Sequence, residues 1–509
     1  MNIANNPWKR SLEYIVDQRN KTLPPVWVSS SAPAAKRIEK GKDVHQSGPG
    51  RAVANMVIAL LGRAREKVVI ASFLLADKAI EDAILETANR GIRVYVLLAS
   101  EARLGREEGD SEFDKKTLEQ HKTMLNRLGG HVLFRTAPHF HAKVVIVDPE
   151  KHPSGILLTA NLTSEALERN EEIAVSLTPD EVIDITAFLK WAMWESAEHE
   201  FINTEDRFRA VNPLGKVPHP SSKSEIVVTT SKARTIKDKV LEIIDGAPSK
   251  IMISSFGWEA DHAVIKRLCA RARKGIDVTV LARVRPSSMP ALLTLAEAGA
   301  KVFGYHWLHA KALWTDRNRA LVMSANIQAN GLDQGFEIGI CLSEGREQEV
   351  LNHLEAWQNK APFRLMTKPT LGEVTGKAQL WHQGHFEEIT VGLSDKVDLG
   401  IIHAASAEDI NAPRPHIPED GILPRMAHEI RYSWTVAAPV VAKESKEIRR
   451  PVEEKQPSKA YTPPVYREPS GRLVVVIRHP EEINDAKTVK SEVGAEAIVV
   501  AAVVIRRKE

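Results

Sequence analysis

An internal repeat constrains the fold of this chain more than any other feature of its sequence. Residues 68–100 read VVIASFLLADKAIEDAILETANRGIRVYVLLAS, and residues 251–283 read IMISSFGWEADHAVIKRLCARARKGIDVTVLAR. In both copies a strand-like apolar run precedes a segment whose apolar residues recur at helical spacing, and a second strand-like run follows. Gly91 and Gly275 are predicted to end the two helices in the left-handed conformation. We therefore expect two similar halves.

Both copies continue in the same order to a strand that carries a histidine and a lysine. This strand reads HFHAKVVIVD at residues 139–148 and HWLHAKALWTD at residues 306–316, and a further strand follows each. Helices that alternate with strands at this density predict an α/β sandwich with one sheet per repeat and helices on the outer faces. The two repeats are predicted to occupy residues 46–210 and 226–364.

The remaining segments have a different character. Residues 1–45 form an N-terminal extension, and residues 211–225, VNPLGKVPHPSSKSE, are rich in Pro, Ser and Lys and are interpreted as a linker. Residues 365–509 contain short β-like runs separated by proline-rich stretches. This pattern favours a small β-rich C-terminal accessory domain.

Composition favours a globular protein of a reducing compartment. The chain has 509 residues, of which 43% are hydrophobic and 27% charged, and its formal net charge is +3. Its two cysteines, Cys269 and Cys341, lie in apolar segments, which favours buried thiols. No signal peptide is recognisable, and the longest apolar run, residues 497–505, is far shorter than the about 20 residues of a membrane-spanning helix. We expect a cytoplasmic protein with no integral membrane contact.

Two histidine–lysine pairs are the candidate reaction centre. They are His141 with Lys143 and His309 with Lys311. Because side chains alternate along a strand, residues two positions apart face the same side, so each histidine shares a face with its lysine. An aspartate seven positions after each histidine faces the other way. These aspartates, Asp148 and Asp316, are predicted to be structural and to cap a turn.

The strands that follow supply further polar groups at matching positions. Each copy offers a hydroxyl and an amide on one face, and both are donors suited to an anionic oxygen: Thr159 with Asn161, and Ser324 with Asn326. The asparagines are predicted to be catalytic, and Thr159 and Ser324 are predicted to be structural members of the motif. A glutamate comes eleven positions after each asparagine, on a strand face of otherwise small residues. Glu172 and Glu337 are therefore predicted to orient the histidines by accepting a hydrogen bond from the far ring nitrogen.

These residues resemble the phospholipase D superfamily, whose members carry two HxKxxxxD motifs, each followed by a Ser/Thr-x-Asn strand and a glutamate. The resemblance covers roughly residues 50–345, and two copies agree in motif, spacing and order. It implies two pseudo-twofold-related α/β/α halves, one site that needs no metal or cofactor, and a phosphohistidine intermediate. The chain departs from the pattern in having Leu158 and Met323 where glycine is usual, and Thr159 in place of serine.

The chemistry of a phosphodiester assigns roles to these groups. Lys143 and Lys311, with the two asparagines, would hold the nonbridging oxygens and neutralise developing charge. One neutral histidine would attack phosphorus, while the other, protonated, would give its proton to the leaving oxygen and then activate water. Resemblance to two-motif enzymes assigns His141 as nucleophile and His309 as acid, although the residues alone do not separate these roles.

Four residues near the second motif are candidates for substrate binding. Trp258 and Trp307 could stack a base at the mouth of the pocket, or could simply pack in an apolar environment. Arg283 and Arg285 follow a strand where the cleft of such a fold opens, and could follow a phosphate backbone.

The family resemblance leaves the substrate open among lipids and nucleic acids. Without a membrane segment or a signal peptide, the chain is interpreted as a nuclease that cleaves DNA, similar to bacterial enzymes of restriction or phage defence. A helicase or translocase is then expected as a protein partner of the C-terminal domain. The alternatives are a soluble phospholipase D or phosphatidyl transferase at membrane surfaces, and a non-catalytic nucleic-acid-binding subunit.

Overall fold

The computed structural model describes residues 22–29, 41–99, 112–202, 207–370, 373–374, 376–382, 384–391, 465–467, 473–477 and 498–501. These residues fall into two compact units. The large unit contains the described residues from 41 to 367 and therefore both repeats. The small unit contains residues 22–29, with strand β1 (Val26–Ser29), and the described residues from 368 onward.

The first half of the large unit alternates strands and helices as the repeat predicts. Its strands are β2 (Val44–Gln46), β3 (Lys67–Ala71), β4 (Leu75–Ala76), β5 (Arg93–Ala99), β6 (Leu133–Ala137), β7 (Val144–Val147), β8 (Ser154–Leu158), β9 (Leu162–Thr163), β10 (Ile173–Ser176), β11 (His199–Ile202) and β12 (Arg207–Ala210). Its α-helices are α1 (Ala52–Arg63), α2 (Lys78–Asn89), α3 (Glu112–Leu128), α4 (Ser164–Glu168) and α5 (Pro179–Trp191), and a π-helical turn (Ala192–Ser196) extends the last of them.

The second half follows the same plan. Its strands are β13 (Ile226–Thr230), β14 (Ala233–Arg234), β15 (Lys250–Ser255), β16 (Asp277–Arg283), β17 (Lys301–Tyr305), β18 (Ala312–Thr315), β19 (Arg319–Met323), β20 (Glu337–Leu342) and β21 (Phe363–Met366). Its α-helices are α6 (Thr235–Gly246), α7 (Ala263–Arg273), α8 (Met289–Glu297) and α9 (Arg346–Lys360). A 3-10 turn (Pro286–Ser288) and a π-helical turn (Asn330–Gln334) complete it.

The central sheets of the two halves have the same strand order. The orders are β6-β5-β3-β7-β8-β10 and β17-β16-β15-β18-β19-β20. In each, the first three strands are parallel, and the next three join antiparallel to their neighbours. The predicted α/β fold of two similar halves is confirmed. The left-handed glycines predicted to end α2 and α7 are also present, with φ of 84° at Gly91 and 87° at Gly275.

The ends of the predicted domains can be compared with these elements. Strand β2 pairs with β10, so Val44 and His45, predicted as part of the N-terminal extension, lie in the first sheet. Residues 211–225 contain no helix or strand. In the small unit β1 pairs with β22 (Gly376–His382), which pairs with β23 (His385–Val391). A separate sheet contains β24 (Val465–Arg467), β25 (Leu473–Ile477) and β26 (Ile498–Ala501). Most of the predicted extension, and residues 392–464, lie outside the described residues.

Strand β7, which follows the first histidine motif, is buried on both faces. Val144 and Ile146 belong to a buried cluster that contains residues of both sheets, α5 and α9. Val145 and Val147 point the other way, into a cluster formed within the first half by α1, α2, α3 and the first sheet. A strand buried on both faces is expected to be continuously apolar, which accounts for the sequence VVIV. The two halves therefore share one core behind the motifs.

The motif aspartates accept hydrogen bonds from the backbone at the start of the neighbouring strand. Asp148 accepts hydrogen bonds from the backbone N–H groups of Arg65, Glu66 and Lys67 at 2.8–3.0 Å, just where β3 begins. Asp316 accepts from the N–H groups of Ser249 and Lys250 at the start of β15, each at 3.0 Å. Each carboxylate thus binds the backbone at the start of the strand that pairs with its own strand, β3 for Asp148 and β15 for Asp316. The sequence instead predicted that each would cap a turn after its own strand.

We expect Asp148→Ala to lower the free energy of unfolding by about 3 kcal/mol, because it leaves three backbone donors without their acceptor. Burial alone would raise the pKa of Asp148, but the three N–H donors outweigh burial and hold it below its ordinary value. This stabilisation is therefore complete above the unfolded pKa of about 3.9 and is lost as the pH falls through the lower folded pKa.

Urea titrations of the wild type and Asp148→Ala between pH 3 and pH 7 measure this effect. The exposed Asp261 provides the control, since Asp261→Ala should change stability little at any of these pH values. Equal stability of Asp148→Ala and Asp261→Ala at pH 7 would contradict the assignment.

Candidate active site

Backbone hydrogen bonds between the two halves position both histidines. The N–H of His141 donates to the carbonyl of Phe336, and the N–H of His309 donates to the carbonyl of Glu171, each at 3.0 Å. Phe336 and Glu171 each immediately precede the predicted orienting glutamate of their own half. Each histidine is therefore placed beside the glutamate of the opposite half.

The side chains complete this exchange. His141 Nδ1 lies 2.9 Å from Oε1 and 3.2 Å from Oε2 of Glu337. His309 Nδ1 lies 2.7 Å from Oε1 of Glu172. A carboxylate can only accept, so Nδ1 carries a proton in both rings, and in a neutral ring Nε2 then carries none. The structure brings together the histidines and glutamates that the sequence proposed and shows that each pair spans the two halves.

The side-chain hydroxyls of Thr159 and Ser324 bind the two orienting glutamates. The hydroxyl of Thr159 donates to Glu172 Oε2 at 2.6 Å, and that of Ser324 donates to Glu337 Oε2. Both hydroxyls also accept from a backbone N–H of β10 or β20, and both residues are fully buried. Both hydroxyls are therefore engaged within the protein, in the structural role that the sequence predicts for these two residues: they fix the glutamates that fix the histidines.

The two lysines are fully buried beside the histidines. Both Lys143 and Lys311 have no exposed surface, and each Nζ donates to the backbone carbonyl of its own histidine at 2.6 Å. Lys311 Nζ also lies 2.9 Å from Nδ1 and 3.2 Å from Nε2 of His309. These residues precede β7 and β18 in extended irregular segments, although the sequence analysis placed them within the strands.

Burial and charge determine the protonation of the second pair. Burial lowers the pKa of His309 to about 4, and the nearby Lys311 charge lowers it further against the attraction of Glu172. Burial alone would raise the pKa of Glu172, but its contacts with His309 and Lys311 hold it below its ordinary value. Burial also lowers the pKa of Lys311 to about 8. At neutral pH, His309 is therefore neutral beside an ionised glutamate and a largely protonated lysine.

The two asparagines occupy equivalent positions at the ends of β8 and β19. The side-chain oxygens of Asn161 and Asn326 are buried and have no hydrogen-bond partner among the described residues. Buried polar atoms are normally paired, so both side-chain oxygens remain able to accept a hydrogen bond. Contact of the side-chain NH2 groups with a phosphodiester stays a prediction.

Two phenylalanines beside the histidines were missed by the sequence analysis. The ring centroid of Phe73 lies 5.4 Å from that of His141, and the centroid of Phe256 lies 4.9 Å from that of His309. Each follows a serine in the shared dipeptide Ser-Phe: Ser72 comes directly after β3, and Ser255 is the last residue of β15. Alignment of the two copies would have identified this pair.

The four candidate substrate-binding residues divide into two groups. Trp258 is only 1% exposed and donates its ring N–H to the carbonyl of Ser255, so it packs in the core and cannot stack a substrate base. Trp307 is 40% exposed. Arg283 and Arg285 are half-buried and lie over the rings of Trp307 and Phe256, near His309. Of the two alternatives left open by the sequence, Trp258 therefore takes apolar packing.

Within the described residues, no group of three or more His, Cys, Asp or Glu side chains could hold a metal ion. The same part of the chain contains no helix that is long and apolar enough to cross a membrane.

Comparison with known proteins assigns the family. The family model described as "Cardiolipin synthase, PLD-like domain" matches residues 57–191 and 240–360, one match in each repeat. The matches cover half of the chain, which therefore belongs to this phospholipase D-like family.

Curated relatives include two cardiolipin synthases of Pseudomonas. Cardiolipin synthase A of Pseudomonas aeruginosa (strain UCBPP-PA14) is 28% identical over 334 residues, which covers 60% of this chain and 65% of that protein. Cardiolipin synthase A of Pseudomonas putida (strain GB-1) is 23% identical over 329 residues, covering 60% of this chain and 66% of that protein. The chain thus spans just under two thirds of the length of these relatives.

Comparison with solved structures gives partial likenesses to two bacterial enzymes. Phosphatidylserine synthase of Haemophilus influenzae Rd KW20 superposes with a TM-score of 0.47 and 10% identity, over 68% of this chain and 90% of that one. Polyphosphate kinase of Porphyromonas gingivalis gives a TM-score of 0.41 and 14% identity, over 64% of this chain and 54% of that one. Neither likeness is close enough to indicate a function for this chain.

A double-mutant cycle tests the exchange of glutamates between the halves. We expect His141→Ala and Glu337→Gln to be strongly non-additive in the free energy of unfolding, with a coupling of about 1–3 kcal/mol, because they form one buried hydrogen-bonded pair. The combination of His141→Ala with Glu172→Gln is the matched control and should show a smaller coupling. Stronger coupling within a half than between the halves would contradict the observed pairing.

Proposed function

We propose that the chain cleaves and transfers the phosphodiester of a glycerophospholipid through a phosphohistidine intermediate. The observation that carries this proposal is the pair of buried histidine–glutamate contacts, each with a buried lysine, at one site. Two histidines whose Nδ1 atoms face carboxylates provide the nucleophile and the acid that a two-step displacement at phosphorus requires. The buried lysines provide positive charge for the nonbridging oxygens.

In the first step, Nε2 of one neutral histidine attacks phosphorus. A phosphorus–nitrogen bond forms, the bond from phosphorus to the headgroup oxygen breaks, and the second histidine gives its proton to that oxygen. Asn161 and Asn326 would hold the nonbridging oxygens together with the lysines. The phosphatidyl group is then attached to the protein and the headgroup alcohol is free.

The second step returns both histidines to their starting state. An acceptor hydroxyl gives its proton to the histidine that served as acid, and its oxygen attacks phosphorus as the phosphorus–nitrogen bond breaks. With water as acceptor the product is phosphatidic acid. With the headgroup alcohol of another lipid, such as phosphatidylglycerol, the product is a lipid that carries two phosphatidyl groups, as in cardiolipin.

The resting state of His309 bears on which histidine has which role. Assignment of His141 as nucleophile requires a protonated His309, whereas burial and Lys311 keep His309 neutral. The negative charge of an incoming phosphodiester opposes this effect and favours the protonated ring. We propose that substrate binding itself charges His309, so that the acid forms only when a phosphodiester is present.

The lipid substrate is preferred over the DNA substrate that the sequence analysis placed first. The matching family model and the curated relatives are named for cardiolipin synthases, and their names give no support to a nuclease. DNA as a partner, phage defence, a helicase or translocase partner and a cytoplasmic location have no support beyond the sequence. A non-catalytic binding subunit would not need histidines whose tautomers are both fixed.

We expect the purified full chain, in excess EDTA, to convert phosphatidylglycerol in vesicles to phosphatidic acid or cardiolipin. Thin-layer chromatography of radiolabelled lipid measures the conversion. His141→Ala should lower the rate by about 10³-fold or more, since it removes one of the two groups that act in every step. His131→Ala, at an exposed histidine, is the control and should retain the wild-type rate.

Labelled single- and double-stranded DNA and RNA are incubated in parallel. DNA cleavage that disappears in His141→Ala, with no change in any lipid, would replace the lipid proposal by the nuclease one. Binding of nucleic acid with no turnover of any substrate would favour the binding subunit.

We expect inorganic phosphate to raise the pKa of His309 from about 4 by on the order of two units, because a negative charge about 4 Å away favours the imidazolium by several kcal/mol at an effective dielectric constant of about 20. Nuclear magnetic resonance of ¹³C-labelled histidine, assigned with His309→Gln, measures this titration with and without phosphate. An unchanged pKa in saturating phosphate would make His309 the nucleophile and His141 the acid.

A further inference from the structure

A pocket lies where residues 211–225 pass the end of helix α5. Its walls are formed by Trp191 of α5, by Glu195 and Ser196 of the π-helical turn, by two residues of the segment 211–225, and by Ser231 and Lys232 between β13 and β14. Its volume is about 340 Å³, at the lower end of the range of roughly 300–1,000 Å³ for ligand pockets. The pocket therefore suits a small ligand, and none of the residues that line it belongs to the histidine motifs.

Glu195 fixes one wall of this pocket. Its carboxylate accepts hydrogen bonds from the backbone N–H groups of Val217 and Gly215, each at 2.7 Å, and of Lys216 at 3.0 Å. These donors, with Val217 the strongest, hold the pKa of Glu195 below its ordinary value. Both carboxylate oxygens are thus engaged, and the segment is held against the end of α5 before any ligand binds.

The buried indole of Trp191 forms a second wall and is itself held in place. Trp191 is 4% exposed. Its ring is nearly parallel to that of Phe336, at 14° and a centroid distance of 6.3 Å, and the ring of His219 is nearly perpendicular to it at 4.8 Å. Nζ of Lys232 lies over the indole, 5.8 Å from its centroid, within the range of a cation–π contact. The ammonium and the indole therefore face the pocket together.

Four side chains offer hydrogen-bond donors at this pocket. They are the ammonium of Lys232, the hydroxyls of Ser196 and Ser231, and the indole N–H of Trp191. None of these groups donates a hydrogen bond to another described residue. Lys232 and Ser231 are exposed, so water can serve them, whereas an N–H on a side chain as buried as Trp191 normally has an acceptor. A ligand that accepts hydrogen bonds would meet this requirement.

The number and charge of these donors favour a phosphate monoester over a carboxylate. An ammonium has three N–H donors, and the two hydroxyls and the indole add about three more. A carboxylate has two oxygens, whereas a phosphate monoester has three strong acceptor oxygens and a charge of about −1.5 to −2 at pH 7. Lys232 attracts this charge. Glu195 opposes it, but its oxygens are turned toward the backbone, so the anion would lie on the Lys232 side.

We propose that this pocket binds a small, water-soluble phosphate monoester at a site separate from the two reacting histidines. The inference goes beyond the proposed function, because it does not depend on which phosphodiester the histidines cleave. Phe336, which stacks on Trp191, also accepts the backbone N–H of His141 through its carbonyl. A single residue therefore lies between the indole that would contact the ligand and one of the reacting histidines.

Fluorine nuclear magnetic resonance of the full chain labelled with fluorotryptophan tests this proposal without turnover. The resonance of Trp191 is the one that disappears in Trp191→Phe. We expect glycerol 3-phosphate to shift this resonance saturably, and malonate, a small dicarboxylate, to bind about tenfold more weakly because it satisfies fewer charge-assisted hydrogen bonds. A resonance that does not respond to glycerol 3-phosphate, or equal affinities for the two compounds, would overturn the proposal.

Variants of the pocket should weaken this binding. Lys232→Gln, at an exposed position with little risk to folding, should lower the affinity for glycerol 3-phosphate by about tenfold, because it removes a charge-assisted hydrogen bond. Lys122→Gln is the matched control, since Lys122 is exposed on α3, which packs on the opposite face of the first sheet from α5. An unchanged affinity in Lys232→Gln, or an equal loss in Lys122→Gln, would overturn the assignment.

Glycerol 3-phosphate also suits the reaction centre, so the two sites must be distinguished. The Trp191 titration should persist with little change in His141→Ala, because His141 does not line the pocket. A titration that is lost in His141→Ala but retained in Lys232→Gln would place the phosphate between the histidines and overturn the pocket as its site. A titration that persists in a chain that converts no lipid would support the pocket while the proposed function fails.

Discussion

The exchange of glutamates between the halves is the interaction on which the rest of the site depends. His141 is oriented by Glu337 and His309 by Glu172, so neither half contains a complete histidine–glutamate pair. The backbone bonds from each histidine to the residue before the opposite glutamate hold this arrangement in register. The shared buried cluster behind the motifs serves the same end, because sliding of one sheet against the other would break both pairs together. Packing and chemistry therefore rest on the same contacts.

Burial of four charged residues in one region is costly unless each charge is compensated. Here two glutamates and two lysines, all essentially without exposed surface, balance in number. The hydroxyls of Thr159 and Ser324 supply each glutamate with a further donor, which explains why a hydroxyl residue stands at both of these fully buried positions. With these charges balanced, a neutral His309 fits the resting site, and the charge of a phosphodiester is the one that disturbs the balance.

The sequence predicts well the fold and the residues that meet at the candidate site, because these depend on local and repeated patterns. Two matched copies of the motif indicate the histidines, lysines, asparagines and glutamates, and the glycines that end α2 and α7 follow from helix geometry. Which glutamate serves which histidine is a tertiary relation, and strand alternation contains no information about it. The same limit applies to Trp258 and Trp307, which look equivalent in sequence but are 1% and 40% exposed. Phe73 and Phe256 could have been found, because both copies contain the same Ser-Phe pair.

A site of two equivalent halves has a chemical difficulty, since the two histidines must act differently in the same step. Equivalent surroundings would give them equal proton affinities, and neither role would be assigned. The sequences around the two histidines are not equivalent: Phe256, beside His309, has the guanidiniums of Arg283 and Arg285 near its ring. The corresponding positions of the first half are Ser100 and Ala102. The residue before each orienting glutamate also differs, being a half-buried carboxylate at Glu171 and a stacked aromatic ring at Phe336. Divergence of the repeat outside its motif thus provides the asymmetry that the reaction needs, while the motif itself keeps two copies of the same chemistry.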